Sequence, residues 1–154
     1  ELDFGIIIIP EGSPNLQLLP MARSQIVCCV PAGSDLAARK AITLQDVEAH
    51  SLIMLKEGSF LRQTMLQKMK TASVTPDIVL ESNQIETIKG LIASGAGIAF
   101  LLDFIVEETP GIVTLPFDKP VFVDVGLAWK KDRYVSKAAQ AFIDFCQNTL
   151  KKEK

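Results

Sequence analysis

Short apolar runs alternate with amphipathic stretches along the whole chain. "GIIII" near the start is almost wholly apolar, the pattern of a strand buried on both faces as in a parallel sheet. "LQLLPMAR" and "SQIVCCVP" read as two further extended runs, with Pro20 making the first an edge or interrupted strand. "SLIML" and "PDIVLE" predict two short strands, and between them Leu61, Met65, Leu66 and Met69 share one broad helical face. Ile85, Ile88, Leu91 and Ile92 repeat that spacing before a buried strand around Ile98. "GIVTLPF" and "VFVDVGLAWKK" predict two strands separated by Asp118-Lys119-Pro120. A last helix over about 135–150 carries Val135, Ala138, Ala139, Phe142, Cys146 and Leu150 at three-four spacing. Strands alternating with helices predict an α/β fold.

Polar residues punctuate this pattern. Thr43 with Asp46 three positions on predicts a capping box at a short helix start. Ser59 after Gly58 is the expected N-cap of the next helix. Asn83 and Glu86 form an N-x-x-E start for the third. "PAGSDLAARK" reads as loop. Pro10-Glu11-Gly12-Ser13-Pro14 is a loop at the C-terminal end of the first strand, where α/β proteins place ligands.

The densest glycine signal lies in "IKGLIASGAGIAFLL", residues 88–102. A phosphate-binding G-x-G-x-x-G needs a strand before its glycines and a helix after them. Here the order is reversed, and the third glycine position is Phe100. Gly95 is therefore expected to stop a helix in the αL conformation, and Gly97 to allow close approach into a buried strand.

The chain has 154 residues, enough for one domain or two small lobes, and 48% are apolar. No apolar run approaches the ~20 residues of a membrane span. No basic, apolar, cleavable leader is visible, so a cytoplasmic protein with no membrane association is expected. The net charge of −2 makes this chain a poor nucleic-acid binder. Its basic groupings, Lys130-Lys131-Asp132-Arg133 and Lys151-Lys152-Glu153-Lys154, read as a solvated loop and tail. The three cysteines, Cys28, Cys29 and Cys146, read as reduced buried thiols. Neighbouring strand residues point to opposite faces, so Cys28 and Cys29 are poorly placed to bond each other. With His50 as the one histidine, neither a metal site nor a Ser/His/Asp set can be assembled, and no carboxylate pair stands out at strand ends. No cofactor and no enzymatic activity are expected.

The order and spacing of the segments resemble the effector-binding domain of LysR-type transcriptional regulators. "LDFGI", "IVCCVPAGSDLA", "ITLQDVEAHSLIML", "EGSFLRQTML" and "VDVGLAWKKDRYVSKAAQAFIDF" each match a piece of it, in order. "ESNQIETIKGLIASGAGIAFL" is the most specific. One departure is Leu102-Asp103, where many relatives have a proline. The resemblance implies a two-lobed α/β fold of the type II periplasmic-binding-protein kind, with lobe II complete over 21–122 and lobe I partial over 1–20 plus 123–154. It implies that earlier β-α units and a winged helix-turn-helix are missing, so that DNA would be reached through that N-terminal domain alone. It also implies a homodimer formed through the effector domains. The alternative is a solute-binding protein of a transport system, which shares the fold.

On that template a small-molecule effector sits between the lobes, lined by Ile8, Ile9 and Pro10 from lobe I. Lobe II supplies Gly58, Ser59, Phe60, Ser82, Asn83 and Gln84. Free N–H groups at helix starts suit a carboxylate or other anion. Ser59 and Asn83 are either caps alone or caps that also touch the effector. Phe60 is either a pocket wall or a core aromatic. Ile8 and Ile9 read as strand core unless one faces the cleft. Arg62 is placed by default on the helix surface, although it has the reach to enter the cleft. His50 is placed by default on a surface loop.

Overall fold

A computed structural model describes residues 5–9, 15–132 and 134–152. Pro10, the rest of the loop to Pro14, Arg133 and the final two residues lie outside the described residues. The chain divides into two compact units, Gln25–Phe122 and Glu1–Ser24 with Val123–Lys154.

The first of these units is a mixed sheet covered by helices. Its spine is the second half of β2 (Leu16–Pro31), in which Ile26, Val27, Cys28, Cys29 and Val30 are all buried. β2 pairs antiparallel with β5 (Ile98–Leu102) on one side and with β6 (Ile112–Leu115) on the other. β3 (Ser51–Met54) then runs parallel to β5 and to β4 (Asp77–Glu81), which is the edge. Parallel neighbours need crossovers, and the helical periodicity supplies them. α2 (Phe60–Thr71) joins β3 to β4, and α3 (Ile85–Ala93) joins β4 to β5. Leu61, Met65 and Met69 of α2 are buried, as are Ile88 and Ile92 of α3. Ile88 and Ile92 pack with Val27, Cys29, Ile53, Ala99, Leu101 and Val106 into one core.

The local signals behave as their chemistry requires at most ends. α1 (Leu44–Glu48) begins with the capping box: Thr43 N–H donates to Asp46 Oδ2 at 2.8 Å, and Asp46 N–H to Thr43 Oγ1 at 3.2 Å. α3 ends at Ala93 with Ser94 as C-cap, and the φ of +87° at Gly95 just beyond goes with Gly95 N–H reaching Ile92 O and Ala96 N–H reaching Leu91 O, both at 3.0 Å. Gly97 then passes so close to β3 that a Cβ there would lie 2.6 Å from Ser51 O. The segment expected to be plain loop after β2 contains a turn of 3-10 helix, Asp35–Ala38, because Ser34 Oγ accepts from Leu36 N–H. Leu102-Asp103 opens a second such turn, Asp103–Ile105, in which Asp103 Oδ1 accepts from Phe104 N–H.

In the other unit, β1 (Gly5–Ile8) pairs antiparallel with β7 (Val121–Lys130), and β2 lies on the far side of β7. The parallel setting with both faces buried that is expected of β1 is not found, because its partner β7 is antiparallel and Gly5, Ile7 and Ile8 are half-buried. Two further expectations fail here. The first is the interruption at Pro20, the alternative there to an edge position, since β2 is one continuous strand through it. The pairing of β2 with β5 starts at Ile26, so the N–H that proline lacks is not needed for that ladder. The second is the apolar stripe of α4 (Lys137–Lys152). Ala139, Ile143 and Cys146 are the buried positions, whereas Ala138 is exposed and Phe142 is 40% exposed. Ile143 sits about 100° round the helix from Phe142 and takes the inward place.

Candidate functional site

The parallel pairing of β3 with β4 brings two loops together. Met54 and Glu81 are register partners, so both strands finish side by side, and each runs straight into a helix start. The β3–α2 loop turns at Gly58, whose φ of +94° is a conformation that side-chain-bearing residues rarely adopt. Ser59 follows as the N-cap of α2, its hydroxyl accepting from Arg62 N–H at 3.4 Å. Phe60, the first residue of the helix, is half-buried.

The start of α3 departs from expectation. Its N-cap is Gln84, which makes no side-chain capping bond. Asn83, expected in that role, reaches across instead: its Oδ1 accepts from the backbone N–H of Lys56 at 3.0 Å. One strand-end N–H thus takes the acceptor that a helix-start N–H would have used. Glu86 does not close a capping box either, and forms an ion pair with Lys89 at 3.5 Å. Ser82 Oγ accepts from Gln84 N–H at 3.1 Å, and Ser82 N–H donates to Met54 O at 3.1 Å. Gln84 Oε1 accepts from the Thr87 hydroxyl.

Arg62 binds the same two loops together and is a correction to its expected surface placement. Its side chain is only 12% exposed, with Nη1 donating to Leu55 O at 2.7 Å and lying 3.1 Å from Glu81 Oε1. The residue was misplaced because its position three after the N-cap gives no sequence cue to burial. The available cue is Glu81, a carboxylate directly after the apolar Ile78–Leu80 run of β4. Lys56 is likewise missed by sequence reasoning, because it contributes through its backbone.

Six expected site residues are therefore gathered in one unit: Gly58, Ser59 and Phe60 on one loop, Ser82, Asn83 and Gln84 on the neighbouring one. Ser59 and Ser82 are half-buried, while Gly58, Asn83 and Gln84 are exposed. Ile8 belongs to the other unit, where it ends β1 half-buried opposite Val125. Pro10 lies outside the described residues. His50 is also more enclosed than a free surface histidine, with Nδ1 2.9 Å from Asp46 O and Nε2 3.5 Å from Asp35 Oδ1. Among the described residues, no three His, Cys, Asp or Glu side chains stand together as a metal centre.

The site offers backbone N–H groups at two helix starts, hydroxyl and carboxamide groups, and a half-buried aromatic. That set can hydrogen-bond an oxygen-rich small molecule, and it contains no activated nucleophile or paired acid and base. The model of the LysR substrate binding domain matches residues 1–151. The chain belongs to this family. The HTH-type transcriptional regulator YybE of Bacillus subtilis is 29% identical over 143 residues, covering 92% of this chain and 49% of that protein. The chain spans about half the length of the curated relatives it matches. The effector-binding domain of QuiR, solved in complex with shikimate, is 26% identical with a TM-score of 0.87, covering 97% of this chain and 72% of that one. The regulatory domain of CcmR from Synechocystis PCC6803, solved with 2-PG, shares the fold at a TM-score of 0.87 and 23% identity, covering 97% and 74% of the two chains. The fold is thus the two-lobed α/β fold of LysR effector-binding domains. These relatives are transcriptional regulators, and they do not favour the transport reading. No helix among the described residues is long and apolar enough to cross a membrane.

Proposed function

We propose that this chain is the effector-sensing part of a cytoplasmic LysR-type transcriptional regulator. A small organic anion, a carboxylate or phosphate ester, binds at the paired loops of Gly58–Phe60 and Ser82–Gln84. Binding shifts the population of conformers and so alters DNA binding by a winged helix-turn-helix elsewhere in the regulator. Effector domains associate as homodimers in this reading.

The observation that carries the reading is the double tie between the loops, Lys56 N–H to Asn83 and Ser82 N–H to Met54. It fixes two helix starts beside each other before any ligand arrives. Pre-organisation of this kind lowers the ordering cost of binding. The N–H groups and partial positive charge of both helices favour an anion.

The test is a thermal-shift screen of the full chain with small carboxylates, phosphate esters and neutral polyols, shikimate included. Amide-shift mapping of each hit follows. The reading expects acids to raise the Tm and to move the amides of residues 56–61 and 82–86. Stabilisation by neutral compounds alone, or shifts that avoid both loops, would reject it.

A further inference from the structure

The far end of α2 borders a cavity that the paired-loop site does not use. It lies within the unit Gln25–Phe122, has a volume of about 600 Å³, and is walled by the last turns of α2, the start of α1 and the linker from β6 to β7. Thr71, on its wall, stands nine residues beyond Arg62, about 14 Å along the helix axis.

The floor is apolar and fixed. Phe117 is 3% exposed and packs against Phe100 with ring centroids 5.6 Å apart. Val121 is buried beside it, and Leu44 completes the apolar side. Two backbone bonds hold the linker: Ile42 N–H donates to Pro116 O at 3.0 Å and Asp118 N–H to Ile42 O at 2.9 Å. The cavity therefore rests on ordered backbone rather than on a free loop.

The rim is charged. Lys68 and Lys119 line it together with Asp118, and among the described residues none of the three makes an ion pair. Two ammonium groups against one carboxylate leave one positive charge over an apolar floor. The carbonyl pole of α2 is already met there, since Ala72 N–H bonds back to Lys68 O and Lys70 O. The volume is within the usual range for small-molecule sites, and a mostly apolar lining with a few polar groups is their usual composition.

We infer that this cavity is a second small-molecule site, selective for an amphipathic monocarboxylate whose apolar body covers Phe117 and Val121 and whose carboxylate meets Lys68 and Lys119. It stands independently of the paired-loop site.

The test titrates the isotope-labelled full chain with benzoate and, separately, with benzyl alcohol, a neutral compound of similar size. Benzoate is expected to give saturable shifts at the amides of Lys68, Thr71, Phe117 and Asp118, with a Kd about five-fold below that of benzyl alcohol. In the double variant Lys68→Gln/Lys119→Gln, both exposed positions, the two affinities should converge while the spectrum elsewhere stays native. Three outcomes would overturn the inference: equal affinities in the unsubstituted protein, no saturable shift at these amides, or shifts confined to residues 56–61 and 82–86. The last would locate binding at the paired loops alone.

Discussion

The backbone N–H of Lys56 donates to the side-chain Oδ1 of Asn83 at 3.0 Å, across 27 positions of sequence. This bond crosses from the end of one parallel strand to the loop leaving its neighbour, and it leaves α3 with no side-chain cap. Asn83→Ala removes the acceptor and is expected to cost about 0.5–1.5 kcal/mol. Hydrogen exchange at the Lys56 amide should speed up, with that at Ile88 in α3 much less changed. Asn83→Asp retains an acceptor and should preserve protection at Lys56. An unchanged Lys56 exchange rate in the alanine variant would show that the bond does not hold in solution.

Arg62 and Glu81 are expected to differ in weight although they form one ion pair. Arg62→Ala strips a 12%-exposed side chain of its bond to Leu55 O as well as its charge partner, and should cost about 1–3 kcal/mol. Glu81 is 42% exposed, so Glu81→Gln removes a solvent-screened attraction, under about 1 kcal/mol. Denaturant midpoints of the two variants give the comparison. Equal losses would mean that the ion pair, rather than the bond to Leu55, anchors the arginine.

The sequence pattern reveals more of the fold than of the site. Each helix with a clear apolar stripe forms, and Gly95 and Gly97 play the parts their reversed order implies, because periodicity and backbone freedom are local properties. The loops around Ser59 and Asn83 are legible as helix starts for the same reason. What the two loops do together depends on the β3–β4 pairing, and no local pattern encodes it. Asn83 looks like a cap because cap residues share its chemistry; the Lys56 amide outcompetes α3 for its oxygen only once the strands have paired. Arg62 is hidden in the same way, since its burial depends on Leu55 O and Glu81 arriving beside it. Phe142 misled for a different reason: two adjacent apolar residues on α4 compete for one inward position, and composition alone does not choose Ile143.

Gly97 and Gly90 offer a matched pair of glycine tests. A Cβ at Gly97 would stand 2.6 Å from Ser51 O, which is strand backbone and cannot yield cheaply, so Gly97→Ala should lose about 1–3 kcal/mol. Gly90 lies inside α3, and a Cβ there meets nothing within 4 Å. Gly90→Ala should therefore gain about 0.5–1 kcal/mol from helix propensity. Thermal unfolding of both variants checks the opposite signs. A Gly97 variant as stable as the parent would show that β3 and β5 can separate without penalty.

Stability is also expected to fall at alkaline pH, because of two buried thiols. Cys28 and Cys29 are both 0% exposed in β2. Burial pushes the Cys29 thiol up to about 12 from its ordinary 9.0, even though a backbone hydrogen bond from Leu101 and the charge of Lys89 pull it down. Burial, with Cys29 adding to it, raises Cys28 further still. In the unfolded chain both thiols lose their protons near pH 9, while the folded protein keeps them. The folded state then binds more protons, so the stability present below about pH 9 declines as the pH rises toward 12. Each thiol lowers the folding equilibrium constant by at most about tenfold per pH unit, a limit approached once the unfolded thiol is fully ionised. Denaturant midpoints from pH 8 to 10.5 measure it, with the Cys28→Ala/Cys29→Ala variant as control for every other titrating group. Lower overall stability but a flatter pH dependence is expected of the variant. Parallel curves would show that the thiols already reach water in the folded state, and alkylation of Cys28 and Cys29 at pH 8 without denaturant would then follow.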